Sequence, residues 1–241
     1  WVIDADPNRI ELLWRRMYSS GYALRPDPTL VGVMSGIEMA CWDIVGKDAG
    51  KPVYDLLGGR VHERIRTYTY LYPAEGRPDV YNDPTQAAEQ AAFEVDRGFT
   101  AVKFDPAGPY TAFDGHQPSP DDIDRSVAIT GAIREAVGSR ADLLLGTHGQ
   151  FTAAGAIRLA QRLERFDPLW LEEPTQPDQP EEMARVARQT SIPVATGERL
   201  TTITEFATLA RHQAAAIWQP NLGRCGGLLA GKKIAAIAEA S

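Results

Sequence analysis

From Gly36 through Lys47 the apolar residues Ile37, Met39, Ala40, Ile44 and Val45 return every three to four positions, with Glu38, Asp43 and Lys47 elsewhere on the wheel. That spacing predicts a helix, which Asp48-Ala49-Gly50-Lys51-Pro52 ends with glycine and proline. An earlier helical pattern, Ile10 to Tyr18, runs out near Gly21, and Val53 to Gly59 reads as a short helix and turn. After Gly59 the pattern changes. Short apolar runs, at 65–70, 101–104, 143–146, 169–172, 194–196 and 216–219, predict strands. Each is followed by a helix-compatible stretch, at 85–96, 121–137, 152–163, 180–189, 202–210 and 227–238. Strict alternation of short strands and helices implies a parallel sheet with helical crossovers, an α/β fold.

A (β/α) barrel of eight units takes about 250 residues, so six units in the last part of this chain read as a barrel lacking its end. Trp1-Val2-Ile3 begins in mid-element and Ala240-Ser241 stops inside a helical pattern, so a longer parent is expected.

The ends of the predicted strands carry the chemistry. Trp170-Leu171-Glu172-Glu173-Pro174 and Ala195-Thr196-Gly197-Glu198-Arg199 each close an apolar run with carboxylates, and Glu172 and Glu198 stand 26 positions apart (198 − 172). This is one strand, one helix and two turns, and in a parallel α/β barrel all strand carboxyl ends open on one face. Two hard oxygen donors so placed suit Mg²⁺. The same interval back from 172 falls on Gly146, at the end of Leu143-Leu144-Leu145, where a third acid would stand and none does.

Alternation along Val102-Lys103-Phe104-Asp105 puts Lys103 and Asp105 on one side. Beside a cation Lys103 could act as a base or hold a substrate carboxylate; alone it would be a lysine reaching to solvent. His148, in Gly146-Thr147-His148-Gly149-Gln150, lies two positions past the empty rung and could exchange a proton near neutrality. His116 lies in the long 105–121 connection, on the side where functional loops of such folds lie, and could meet substrate. Asn221 follows the sixth strand and could orient a ligand but transfers no proton. Backbone amides after Gly226-Gly227 could receive an anion, or could simply start the next helix.

Bulk properties narrow the field. Asp and Glu outnumber Lys and Arg by 32 to 25, a net charge of −7, and no basic cluster is present, which argues against a nucleic-acid surface. Cys41 and Cys225 form no CxxC pair, so neither a disulfide framework nor a zinc knuckle is indicated, and a reducing cytoplasm fits. No apolar run of bilayer-spanning length stands out, and no membrane association is expected.

The order and spacing of these motifs are specific. Ile37 to Lys47, the Leu56-Leu57-Gly58-Gly59 turn, Lys103, Leu171-Glu172-Glu173-Pro174, Gly197-Glu198-Arg199 and Gln219-Pro220-Asn221 with Gly226-Gly227 together resemble the mandelate racemase and muconate lactonizing branch of the enolase superfamily. The nearest subgroup is that of acid-sugar dehydratases similar to galactonate dehydratase. The resemblance implies an α+β capping domain, of which residues 1–24 would be the end, and a modified TIM-type (β/α)₇β barrel over residues 25–241, truncated after about six βα units. It implies Mg²⁺ on Glu172 and Glu198, with His148 and Lys103 as acid/base residues. Asp105, Glu173, Asn221, Arg199 and His116 are further candidates for metal or substrate. The implied reaction is removal of the proton α to a carboxylate followed by loss of water, on a small sugar acid, in a symmetric homo-oligomer. Racemisation or cycloisomerisation, or a truncated relative without activity, are the alternatives. Three positions depart from the family: Gly146 replaces an acid, Asp105 replaces the second lysine of Lys-x-Lys, and Asn221 replaces an Asp whose seventh-strand His partner is outside this chain.

Overall fold

The computed structural model describes residues 2–108 and 115–241. They form two compact units. The first takes Trp1–Ile65, Gly197–Ala210 and Gln219–Ser241; the second takes Arg66–Thr196 and Arg211–Trp218.

In the first unit, α1 (Ile10–Ser20) packs on α2 (Pro28–Asp48) through Ile10, Leu13, Met17, Met34 and Cys41. The helix expected from Gly36 begins eight residues earlier. Asp27 accepts hydrogen bonds from the backbone N–H groups of Thr29 and Leu30, and Pro28 takes the first helical position, where its missing N–H costs nothing. At 21 residues with a mean hydropathy of 1.3, α2 is long and apolar enough to cross a membrane by length and composition, which the sequence reading did not anticipate. Its apolar residues have partners within the unit, and its buried Glu38 is bonded to α9 (Leu228–Glu239). Leu228 N–H donates to Glu38 Oε2 at 2.8 Å and Leu229 N–H to Oε1 at 3.0 Å, while Trp42 Nε1–H donates to Oε1 at 2.7 Å. The anion received by the amides after Gly226-Gly227 is therefore the protein's own carboxylate. Gly227, at φ 94°, has no alternative, since a Cβ there would lie 2.0 Å from Glu38 Oε2. The short helix α3 (Val53–Leu56) completes the leading segment.

The second unit holds a six-stranded sheet in the order β1-β2-β3-β4-β5-β6, every pair parallel. The strands are β1 (Thr69–Tyr70), β2 (Ala101–Phe104), β3 (Asp142–Gly146), β4 (Trp170–Glu172), β5 (Val194–Thr196) and β6 (Ile217–Trp218). The helices of this unit are α4 (Pro84–Asp96), α5 (Pro120–Val137), α6 (Ala153–Leu163) and α7 (Pro180–Ala187); α8 (Ile203–His212), which follows β5 in the chain, falls in the first unit as far as Ala210. Val102, Leu143, Leu144, Leu145, Leu171 and Val194 are sealed from solvent, as strands covered on both faces require. Ile129, Ile133, Leu159 and Leu163 supply the helical side of this core. The first strand, expected from 65, pairs only at Thr69 and Tyr70. Ile65 is exposed, and Arg66 uses its guanidinium instead, bonding Thr100 and, at 2.6 Å, Asp142 Oδ2. Asp83, Ser119 with Asp122, and Thr152 cap α4, α5 and α6 at their N-termini. These caps fix the loops that leave the carboxyl ends of the strands, where the candidate residues stand.

Candidate active site at the strand ends

Register places the polar side chains. Tyr70 pairs with Lys103, Lys103 with Leu144, Leu144 with Trp170, and Gly146 with Glu172. Side chains alternate along a strand, so Tyr70, Lys103, Trp170 and Glu172 share one side of the sheet, and Asp105 follows Lys103 by two. All lie in the second unit.

Lys103 and Glu172 are 6% and 1% exposed, and Lys103 Nζ donates to Glu172 Oε1 at 2.6 Å. Trp170 Nε1–H donates to Glu172 Oε2 at 3.2 Å, and the Lys103 ammonium lies 5.9 Å from the centre of the Tyr70 ring. A buried carboxylate is retained as an anion only when a cation or several donors compensate it, and here Lys103 does so.

Asp105 is 4% exposed. The Tyr70 phenol is hydrogen-bonded to it, and His148 Nδ1 lies 3.4 Å from its Oδ1. Burial pushes the Asp105 carboxyl above the ordinary aspartate value, against the lowering effects of the Tyr70 hydrogen bond, His148 and Lys103. Burial, and next the Asp105 carboxylate, push the Tyr70 phenol up, so it stays a donor. His148 is partly buried and holds a left-handed backbone, φ 51°. Its neighbours anchor it there: Thr147 Oγ1–H donates to the Glu172 carbonyl at 2.7 Å, and Gly149 N–H to the Glu173 carbonyl at 2.6 Å. Glu173 is fully buried, with φ 41°.

The structure thus brings together Lys103, Asp105, His148 and Glu172, while Glu173 lends its backbone carbonyl to the turn that carries His148. Glu198 and Arg199, both half-buried, follow β5 in the chain and belong to the first unit, as does Asn221. The exposed Asn221 carboxamide accepts the Gly223 N–H at 3.0 Å, a turn within its own loop. His116 is exposed, bridged to Phe151, and their rings meet edge to face at 5.4 Å. Part of its loop, 109–114, lies outside the described residues. Tyr70 and Thr147 were not singled out from the sequence. The two-residue period that pairs Lys103 with Asp105 would have marked Tyr70 as a strand-end residue facing the same way, whereas nothing distinguishes Thr147 from an ordinary turn threonine.

For a metal, Glu172 offers hard oxygen donors at a buried strand end that demands positive charge. Among the described residues, no group of three or more His, Cys, Asp or Glu is gathered closely enough to hold an ion. Gly146 contributes no donor.

This parallel α/β sheet is shared with a known class of proteins. Residues 86–241 match the enolase C-terminal domain-like family, and residues 1–58 match the mandelate racemase/muconate lactonizing enzyme N-terminal domain. The chain belongs to the mandelate racemase/muconate lactonizing enzyme family of the enolase superfamily. It is similar to a D-galactonate dehydratase of Variovorax paradoxus, with 38% identity over 99% of this chain and 59% of the relative, and to one of Ralstonia nicotianae, with 37% identity over 100% and 59%. Among solved structures, a mandelate racemase/muconate lactonizing enzyme from Sulfitobacter shares 58% identity at a TM-score of 0.94, covering 98% of this chain and 60% of that one. One from Jannaschia shares 56% at 0.93, covering 98% and 61%. The chain spans about three-fifths of the length of these relatives.

Proposed function

We propose that the protein carrying this chain removes water from a small sugar acid, breaking the C–H bond α to the carboxylate and the C–O bond at the β-carbon. The observation that supports this reading best is the convergence of Lys103, Asp105 and His148 beside Glu172, in a chain similar over its whole length to D-galactonate dehydratases. The substrate class comes from those relatives, and the roles from the chemistry of the residues.

Paired with Glu172, Lys103 is an ammonium, the form that binds a substrate carboxylate; in its neutral form it accepts the α-proton. The electron pair left on the α-carbon forms the new double bond as the β-hydroxyl departs. His148, as the imidazolium, gives that hydroxyl its proton, so water leaves and the histidine ends neutral. We assign Glu172 to Mg²⁺, and Glu198 on the resemblance to the family alone; the ion would supply Lewis-acid stabilisation of charge on the substrate carboxylate. Asp105 stands where racemase-like members carry a second lysine, and this favours elimination over racemisation.

Incubation with a panel of sugar acids is expected to release a 2-keto-3-deoxy acid from at least one, and much less after His148→Gln. Exchange of the α-hydrogen with deuterated water without loss of hydroxyl would replace elimination by racemisation. Titration calorimetry with Mg²⁺ is expected to lose its heat in Glu198→Gln; equal heats would remove that residue from the metal assignment.

A further inference from the structure

The position that departs most from the family is Gly146, and its surroundings explain it. A Cβ built on Gly146 would lie 2.7 Å from Asp105 Oδ1, 3.2 Å from Lys103 Cε and 3.4 Å from His148 Cε1. The first distance is shorter than non-bonded carbon and oxygen atoms tolerate, and the second is tight. Three chemically active side chains therefore pack over the bare Cα of Gly146. In particular, the carboxylate missing from the end of β3 has a counterpart from β2, lying just above the place where a β3 side chain would emerge.

We propose that Asp105 is a positioning residue for His148, and that residue 146 is glycine because the Asp105 carboxylate occupies the space above it. The inference rests on the reading of His148 as the proton donor. Asp105 suits the task on three counts. It is 4% exposed, so its carboxylate is fixed by its packing rather than by solvent. The Tyr70 phenol holds it from one side. Its Oδ1 faces His148 Nδ1 at 3.4 Å, a separation that a small ring rotation closes to a hydrogen bond. A buried carboxylate at Nδ1 holds the proton of the neutral ring on that nitrogen and stabilises the imidazolium, which leaves Nε2 to serve the substrate. The left-handed backbone at His148 and the hydrogen bonds of Thr147 and Gly149 to the β4 carbonyls restrain the ring from the other end. Gly146 is on this account the floor of a rebuilt site.

A lost ligand and an occupied space predict opposite results at position 146. If Gly146 were a lesion, Gly146→Asp would restore function. Here it collides with Asp105, so activity is expected to fall, and Gly146→Asp combined with Asp105→Gly is expected to recover part of it. The direct test is ¹⁵N NMR of the His148 ring, assigned by its loss in His148→Gln and needing no substrate. The wild type is expected to carry its neutral-form proton on Nδ1. Asp105→Asn, close in size, and Gly146→Ala, which keeps Asp105 but displaces it, are both expected to shift the proton toward Nε2. With substrate, both are expected to lower kcat by about 100-fold with KM little changed. An unchanged tautomer in both variants would overturn the inference, as would recovery of function in Gly146→Asp alone. A shifted tautomer in a protein that dehydrates no sugar acid would uphold the positioning and reject only the proposed reaction.

Discussion

Lys103 and Glu172 meet at 2.6 Å, each less than a tenth exposed, across strands that are not neighbours: β3 lies between them. The pair spans the sheet above the small residue at the end of β3. Removing one partner leaves the other charge buried without its counter-ion, which costs about 3–5 kcal/mol, whereas removing both with apolar replacements is often neutral. Lys103→Met is therefore expected to lower stability by an amount in that range, and Lys103→Met with Glu172→Leu to recover most of it. Urea unfolding of the three proteins measures both effects.

Asp105 imposes a pH dependence of its own. Its folded carboxyl titrates above the ordinary aspartate value of 3.8, so between that value and its raised one the folded state binds more protons than the unfolded. Stability contributed by this group is present below 3.8 and is lost as pH rises through the folded value. Asp105→Asn is expected to remove that decline, making the variant more stable relative to wild type at pH 7 than at pH 4. Unfolding curves at the two values give the difference; equal offsets would contradict it.

Two glycines in the first unit predict opposite signs. Gly36 lies inside α2 with open space where a Cβ would go, so Gly36→Ala is expected to stabilise by about 0.5–1 kcal/mol. Gly227 combines φ 94° with the Glu38 carboxylate at 2.0 Å from a would-be Cβ, so Gly227→Ala is expected to destabilise by more than about 1 kcal/mol. Thermal unfolding separates them.

Both thiols are buried, and burial pushes the pKa of Cys41 and of Cys225 above the ordinary cysteine value. The thiolate is the reactive form. Native protein is expected to react slowly with a thiol reagent at pH 7, and to release two equivalents promptly in denaturant.

Much of this was legible in the chain because the α/β grammar is repetitive. Four-residue β2 and three-residue β5 lie where their apolar runs predict, and Lys103 and Asp105 face one way because a strand alternates. The start of α2 was not legible from periodicity, since it depends on the Asp27 cap and Pro28 rather than on the apolar stripe. The two-residue length of β1 was hidden because Arg66 binds through its side chain. At the site, strand-end spacing pointed to Glu172 and to the anomaly at Gly146. It could not show that Asp105 fills the space above Gly146, or that Tyr70 holds Asp105, because those facts depend on distances between separate strands. The anion suggested for the amides after Gly227 also needed the structure, since it comes from about 190 positions earlier.

That separation affects the order in which the protein can mature. Glu38 is synthesised early, and its backbone donors at 228 and 229 come only after all six strands. Until then a carboxylate destined for burial has Trp42 within its own helix and must otherwise stay hydrated. The first unit is thus assembled from segments interleaved along the chain with those of the second, and the contacts that complete it join residues far apart in sequence and are slow to form. During synthesis the strand-bearing unit is expected to become protease-resistant first, with α2 still open to cleavage until α9 has emerged.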